Sequence, residues 1–243
     1  MKHEWIETHT SHFLILTLLV ISIGGLVEIV PLFLIKNTVE TVAGVRPYTP
    51  LELLGSNIYQ REGCYLCHSQ MIRPLQEEWL RYGHYSLAAE SQFDHPFLWG
   101  ARRIGPDLAR VGGKYSNTWH IQHITAPRSL VSRSRMPNYL WLKDRPLQYS
   151  DIEAHLRALV RAGVPYSENQ EQYDKNVALF GKDVANRLVI SRARENLLAQ
   201  VAGNADGNVV SPTEMDALVA YLQILGTLVD FKKYDEGYFA RFR

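Results

Sequence analysis

Five consecutive residues, Cys64-Tyr65-Leu66-Cys67-His68, form the pattern C-x-x-C-H. Two thiols three positions apart can form thioethers with the two vinyl groups of one porphyrin. The histidine that follows is then held beneath the iron, where its ring nitrogen can be an axial ligand. The pattern therefore predicts one covalently attached haem c, bound through Cys64 and Cys67, with His68 as the proximal iron ligand.

Two other chemistries use a C-x-x-C pair, namely zinc binding and thiol–disulfide exchange. A structural zinc site of four ligands needs a second ligand pair, whereas Cys64 and Cys67 are the only cysteines in 243 residues. A redox dithiol gives no reason for a histidine directly after the second cysteine. The pattern therefore favours the haem, which leaves no cysteine for a disulfide bond.

The sixth coordination position of the iron decides what the haem does. A second strong ligand makes an electron carrier, because neither oxidation state then has to rearrange, and a thioether raises the reduction potential. Met136 lies far enough beyond His68 for the chain to fold over the other haem face. Met71 is tethered to the proximal side and Met215 falls on the apolar side of a helix, so Met136 is the predicted distal ligand. The alternatives are two histidines, His120 and His123, which would give a bis-histidine site.

Other residues are candidates for supporting roles. A metal-bound histidine normally donates its second ring N–H to an acceptor, which sets its orientation and basicity. In class I cytochromes c a proline carbonyl in a G-P-x-L turn accepts this bond, and Gly105–Leu108 resembles that turn, so Pro106 is the candidate. A proline at the start of a helix would look the same. Arg102 and Arg103 are candidate bidentate partners of the haem propionates, or else solvated surface residues.

The overall composition points to no highly charged partner. The chain has 26 lysines and arginines against 25 acidic residues, a formal net charge of +1, so nucleic-acid binding is not expected. No Ser/His/Asp set, paired carboxylates or second metal cluster is recognisable. The chain is therefore not expected to be an enzyme on its own.

An apolar run over residues 12–35 contains a single carboxylate, Glu28. A helix of this length spans about 36 Å, which is enough to cross a bilayer. A signal peptide is the competing interpretation, but its apolar core is usually about 7–15 residues long and a cleavage site follows. The poor cleavage signal Thr41-Val42-Ala43 favours an uncleaved anchor after a cytoplasmic tail, residues 1–11. Glu28 either contacts a partner helix or lies shallow enough to reach interfacial water.

The rest of the chain is predicted to be a linker over residues 36–50, a helical domain over 51–226 and a tail over 227–243. Helical character at 51–62 precedes the haem motif directly. An apolar stripe from Met215 to Leu225 predicts a last helix that packs across this first one. Residues 163–210 are charged and polar, and they are predicted to be a surface insertion without chemistry.

Several segments together carry a resemblance to a known family. They are Gly63–Pro74, Tyr82–Ser86, Asp94–Gly100, Gly105–Gly113 and Met136-Pro137. This series resembles the mono-haem subunit II, of FixO or CcoO type, of cbb3-type cytochrome c oxidases. The resemblance covers about residues 1–142 and the last helix, whereas generic cytochromes c share only C-x-x-C-H. The segment 163–210 is longer and more charged than expected of this family.

The resemblance implies a mainly α protein with one N-terminal transmembrane helix followed by a class I cytochrome c domain. It implies thioethers at Cys64 and Cys67 and iron ligation by His68 and Met136. Electrons would come from a di-haem cytochrome c subunit or a soluble cytochrome c and pass to the haem-copper subunit that reduces oxygen. The implied location is the bacterial inner membrane, with lipid around the helix and the haem domain in the periplasm.

Two other functions stay open from the sequence. The mono-haem subunit of a nitric oxide reductase has the same architecture, although the segments Ser69–Pro74 and Asp94–Gly100 argue against it. A structural anchor, in which the haem only stabilises the fold, belongs to a different functional class. An oxygen-uptake assay distinguishes the first alternative from the oxidase subunit, and a redox titration with a physiological donor distinguishes the second.

Overall fold

The computed structural model describes residues 3–34, 39–100, 102–204 and 211–242, which are mainly helical. The α-helices are α1 (His3–Thr8), α2 (Thr10–Leu34), α3 (Pro50–Arg61), α4 (Gln76–Tyr82), α5 (Asn117–Thr125), α6 (Pro127–Leu130), α7 (Trp141–Asp144), α8 (Ile152–Arg161), α9 (Gln170–Phe180), α10 (Lys182–Arg187), α11 (Ala193–Asn204), α12 (Glu214–Ile224) and α13 (Glu236–Ala240). Single 3₁₀ turns lie at Cys64–Leu66, Ala88–Ser91, Ile190–Arg192 and Phe231–Lys233. The described residues form two isolated β-bridges and no strand, which confirms the predicted mainly α fold.

The chain divides into two compact units, and the first comprises Met1–Glu40 with Asp235–Arg243. Within it, α2 exposes its apolar side chains, and none of the residues over Thr10–Pro31 is buried. By length and composition, α2 is the one helix in the described ranges that could cross a membrane. It agrees with the predicted single anchor, although Ile35, the predicted end of the span, lies outside the described residues.

The second unit, Thr41–Tyr234, is organised around the crossing of α3 and α12. The two backbones approach so closely at Gly55 that a Cβ there would lie 2.0 Å from the carbonyl oxygen of Ala217 and 2.7 Å from Cβ of Tyr221. Only glycine leaves room for this approach. The predicted packing of the last helix across the first is therefore confirmed.

Side-chain caps determine where these two helices begin. The Glu52 carboxylate accepts a hydrogen bond from the Thr49 backbone N–H at 2.7 Å, at the start of α3. At the start of α12, the backbone N–H and hydroxyl of Thr213 donate to Asp216 at 2.8 and 2.7 Å. Such caps satisfy backbone donors that a helix end leaves unpaired. Because α3 ends at Arg61, the haem motif begins shortly after this helix, at Cys64.

The segment predicted as a surface insertion, residues 163–210, instead contributes to the core over its described part. Its chain folds into α9, α10 and α11, and Tyr166 donates a hydrogen bond to the Tyr48 carbonyl oxygen at 2.8 Å. Its buried apolar residues are Val164, Tyr166, Ala185, Leu188, Ile190, Ala193, Leu197 and Val201. The prediction of a purely surface segment is therefore wrong, because apolar residues scattered over short helices give no long periodic stripe. Residues 205–210 of this segment lie outside the described part of the chain.

The later residues of the predicted linker, residues 36–50, are part of the second unit. Val45 is buried, and Arg46 forms a two-pronged ion pair with Glu52 at 2.8 and 2.9 Å. Gly44 has a φ of +100° and lies so close to the Leu228 carbonyl that a Cβ would be 2.2 Å away. This part of the segment therefore belongs structurally to the helical unit.

Candidate haem site

The C-x-x-C-H motif folds as a tight turn directly after α3. Gly63, with a φ of +71°, ends the helix and begins the 3₁₀ turn Cys64–Leu66. The backbone N–H groups of Cys67 and His68 both donate to the Cys64 carbonyl, at 3.1 and 2.9 Å. The turn brings Cys64 and His68 to the wall of one cavity, whereas Cys67 is half-buried and is not among the lining residues.

The cavity has a volume of about 350 Å³. Helices α5 and α12 and the turn after α3 supply much of its wall, together with the segments around Pro106 and Met136. Its apolar and aromatic lining residues are Tyr59, Tyr82, Leu108, Val111, Tyr115, Trp119, Ile124, Tyr139, Leu142, Leu218 and Leu222. A mainly apolar cleft with a few convergent polar groups suits a large flat cofactor such as haem.

His68 is held by the carbonyl group that the sequence analysis named. Its Nδ1 lies 2.8 Å from the carbonyl oxygen of Pro106. A carbonyl can only accept, so Nδ1 carries the hydrogen and donates, which leaves Nε2 with a lone pair for a metal. Burial lowers the pKa of His68 and the Pro106 carbonyl partly opposes this. The imidazole is therefore neutral, as an iron ligand must be.

Three candidate distal ligands line the same cavity. They are Met136, which is half-buried, and the α5 residues His120 and His123. Nε2 of His120 and Nδ1 of His123 are buried without a hydrogen-bond partner in the described structure. Burial, with His123 nearby, lowers the pKa of His120 to about 4. Both the predicted ligand and its bis-histidine alternatives therefore have access to this cavity.

The two other methionines considered as ligands lie elsewhere. Met215 is 1% exposed on α12 and packs in the hydrophobic core, which agrees with its predicted role. Met71 is exposed, and neither methionine lines the cavity. Among the methionines of the described chain, only Met136 has the placement of an iron ligand.

The predicted propionate partners do not line the cavity. Nε of Arg103 donates to the Ser69 hydroxyl and Nη2 to the Glu78 carboxylate, both at 2.7 Å. Arg102 is exposed. The assignment of Arg103 to a propionate therefore stays a prediction, and in this structure its guanidinium is paired with a protein carboxylate. The cations that do line the cavity, which the sequence analysis missed, are Arg81, Arg110 and Lys114.

The residues present fit a haem c. Burial raises the pKa of the Cys64 thiol to about 12, whereas the attacking thiol of a redox dithiol has a lowered pKa. The free imidazole nitrogen of His68, the thioether of Met136 and the apolar wall suit a ligated porphyrin. Nε of Arg110 is a further buried donor without a partner in the described residues, at a wall where a haem carboxylate could accept.

The comparisons with known proteins agree with this chemistry. The family described as "Cytochrome C oxidase, mono-heme subunit/FixO" matches residues 3–229, nearly the whole chain. The chain belongs to the FixO family. The resemblance inferred from the sequence is thus confirmed, and a FixO subunit carries one haem and forms part of an oxidase. A comparison with curated proteins found no match.

Proposed function

We propose that this FixO-family subunit is the mono-haem electron carrier of a cbb3-type oxidase. It receives single electrons from a di-haem cytochrome c subunit or a soluble cytochrome c. It passes them to the haem-copper subunit, where oxygen is reduced. The observation that carries the proposal is the single cavity into which the chain brings Cys64, His68 and Met136.

Each group at the cavity has a defined task. Cys64 and Cys67 hold the haem by thioethers, and Pro106 orients His68 through the 2.8 Å hydrogen bond. Met136 is the distal ligand, and the apolar wall keeps water away. A haem with two strong axial ligands supplies one-electron transfer and no open iron site for oxygen. The chain therefore carries electrons and leaves oxygen chemistry to its partner.

The membrane helix α2 (Thr10–Leu34) supports a stable association with a larger membrane subunit. In this arrangement the N-terminus lies in the cytoplasm and the haem domain lies in the periplasm, where haem c is attached in bacteria. The inner membrane is then the location of the complex. Glu28, in the outer part of the helix, is placed to contact a neighbouring helix or interfacial water.

Oxygen consumption by the isolated subunit and by the intact complex tests the proposal. We expect no oxygen uptake by the purified subunit with a chemical reductant. The complex should consume oxygen with reduced cytochrome c, and depletion of this subunit should abolish that turnover. Oxygen reduction by the single chain would contradict the carrier role.

Two further results would favour the other functions. Turnover of nitric oxide instead of oxygen by the complex would identify a nitric oxide reductase subunit. A haem that stays oxidised while the complex turns over would indicate a structural anchor. Stopped-flow absorption spectroscopy distinguishes a carrier from an anchor. The haem c of a carrier must become reduced before the haems of the catalytic subunit.

A further inference from the structure

Two loops run side by side beneath the proximal face of the proposed haem site. One follows the haem motif, residues 67–71, and the other contains Pro106, residues 105–109. The backbone N–H of Gly105 donates to the Cys67 carbonyl at 3.0 Å, and that of Leu108 donates to the Ser69 carbonyl at 2.8 Å. His68 and Pro106 lie between these two hydrogen bonds along their loops. The distance from His68 to its carbonyl acceptor therefore depends on the register of the two loops.

Asp107 joins the loops through its side chain. Its carboxylate has no solvent exposure, and Oδ2 accepts from the Ser69 hydroxyl at 2.6 Å and from the Met71 backbone N–H at 2.9 Å. Oδ1 accepts from the Ala109 backbone N–H at 2.8 Å. Two of the three donors belong to the loop of His68 and one to the loop of Pro106. The carboxylate thus joins the two loops immediately beside His68 and Pro106, the donor and the acceptor of the hydrogen bond on the proximal side.

Arg103 completes this cluster on its outer side. Its Nε donates to the Ser69 hydroxyl at 2.7 Å, so Ser69 accepts from Arg103 while it donates to Asp107. Its Nη2 donates to the Met71 carbonyl at 2.8 Å and lies 3.5 Å from Asp107. Glu78 in turn pairs with Arg103 at 2.7 Å and also with Arg73. A buried carboxylate needs such compensation, because desolvation is costly without hydrogen bonds and an opposite charge.

We propose that Asp107, acting with Ser69, is the positioning residue of the proximal ligand. It holds the Pro106 carbonyl against Nδ1 of His68 and so sets the basicity of the imidazole that faces the iron. An N–H that donates to a firmly held acceptor makes the ring a stronger electron donor, which stabilises ferric iron. This inference rests on the proposed ligation of haem by His68, and it concerns the reduction potential rather than the electron partners.

Two variants of the full-length haem-loaded subunit test the proposal. Asp107→Asn removes the charge and one acceptor atom. Ser69→Ala removes the hydroxyl that donates to Asp107 and accepts from Arg103, without a change of charge. Both should raise the midpoint potential, with the larger rise in Asp107→Asn. Both should also speed exchange of the His68 Nδ1 proton, followed by NMR in the ferrous state, by about fivefold, the equivalent of one hydrogen bond.

Glu214→Gln is the matched control. Glu214 is also a buried carboxylate, 5% exposed, and it accepts from Arg61 at 2.8 Å, but it lies on α12 outside both loops. This control should lower the melting temperature and leave the potential and the Nδ1 exchange at parent values. If Asp107→Asn raises the potential while Ser69→Ala and the Nδ1 exchange stay at parent values, the effect is one of charge alone and the positioning role is wrong. The positioning role and the proposed function can fail separately. If the subunit does not pass electrons to an oxidase, the proposed function is wrong, but the midpoint potential and the exchange of the His68 Nδ1 proton can still be measured on the haem-loaded subunit.

Discussion

The Cα of Gly105 faces the imidazole ring of His68 without room for a side chain. A Cβ at Gly105 would lie 2.2 Å from Cε1, 2.6 Å from Nδ1 and 2.7 Å from Nε2 of that ring. The glycine is required by this contact rather than by its backbone angles. Its absent side chain allows the ring to lie flat against the loop and still reach the Pro106 carbonyl.

Gly105→Ala should therefore impair haem attachment or ligation. The new methyl group would push the ring away from the loop and break its 2.8 Å hydrogen bond to Pro106. We expect haem content per polypeptide, measured by pyridine haemochrome, to fall severalfold. Gly203→Ala is the control, because no atom lies within 4 Å of its Cβ position. An alanine variant at Gly105 with parent haem content and spectrum would contradict the prediction.

Met136→Ala should remove the distal thioether. We expect loss of the long-wavelength absorption band that ferric haem shows with His/Met ligation. We also expect the reduction potential to fall on the order of 0.1 V, within the ~0.8 V range over which axial ligands set it. Met215→Ala is the control: it should cost about 2–5 kcal/mol of stability as a buried truncation and keep the band. Survival of the band in Met136→Ala with its loss in His120→Ala or His123→Ala would identify a histidine ligand instead.

Gly55→Ala should weaken the crossing of α3 and α12. The added methyl group would collide with the Ala217 carbonyl at 2.0 Å, and the helices would have to separate. Such overpacking costs about 1–3 kcal/mol. Urea unfolding of the haem-loaded protein, followed by circular dichroism, should show a lower midpoint, while Gly203→Ala should stay near the parent. An unchanged urea midpoint would mean that the two helices can move apart without loss of stability, which would contradict the prediction.

Local patterns and helix periodicity predicted the features that depend on nearby residues. The C-x-x-C-H spacing predicted an attachment site, and the likeness of Gly105–Leu108 to a turn of class I cytochromes c predicted Pro106, whose carbonyl lies 2.8 Å from His68. The stripe from Met215 to Leu225 gave the last helix and its partner. The motif and the helix follow from spacing along the chain, and the role of Pro106 follows from a resemblance in a short local segment, so a single sequence contains all three.

Long-range side-chain partners could not be predicted in the same way. Arg103 pairs with Glu78, 25 positions away, and this pairing follows from how loops fold around each other rather than from any local motif. The presence of Arg110 and Lys114 at the cavity has the same origin. The core role of Leu188 was missed because this residue directly follows a short and mainly polar helix, α10 (Lys182–Arg187). Tertiary packing overrides local composition at all of these positions.

Glu78 should make stability fall in acid. Hydrogen bonds from Arg103 and Arg73 hold its pKa at about 2, below its ordinary value of 4.5. A carboxyl with a lowered pKa stabilises the fold above the unfolded value, and this contribution is lost as pH falls from 4.5 toward 2. Glu78→Gln should cost about 2 kcal/mol at pH 7, the scale of a hydrogen bond to a charged group. In urea unfolding, the difference from the parent should shrink toward pH 3, and a gap that is constant with pH would contradict this account.

Asp94 should show the opposite pH dependence. Burial raises its pKa to about 6 from an ordinary 3.8, although hydrogen bonds with Tyr48 and Ser91 oppose the rise. The folded protein therefore favours the protonated carboxyl, and stability is lost as pH rises from 3.8 through 6. Asp94→Asn keeps the shape and removes the charge, so it should unfold at higher urea concentration than the parent at pH 7, by on the order of 1 kcal/mol.

At pH 4 the same comparison should give nearly equal stabilities, because the parent carboxyl is then mostly protonated in the folded state. Glu78→Gln serves as the internal reference, since its stability difference moves with pH in the opposite sense. An Asp94→Asn variant that is less stable than the parent, and by more at pH 7 than at pH 4, would show that the ionised carboxylate is needed as a hydrogen-bond acceptor. In that case its hydrogen bonds with Tyr48 and Ser91, rather than its burial, would dominate the energetics of this residue.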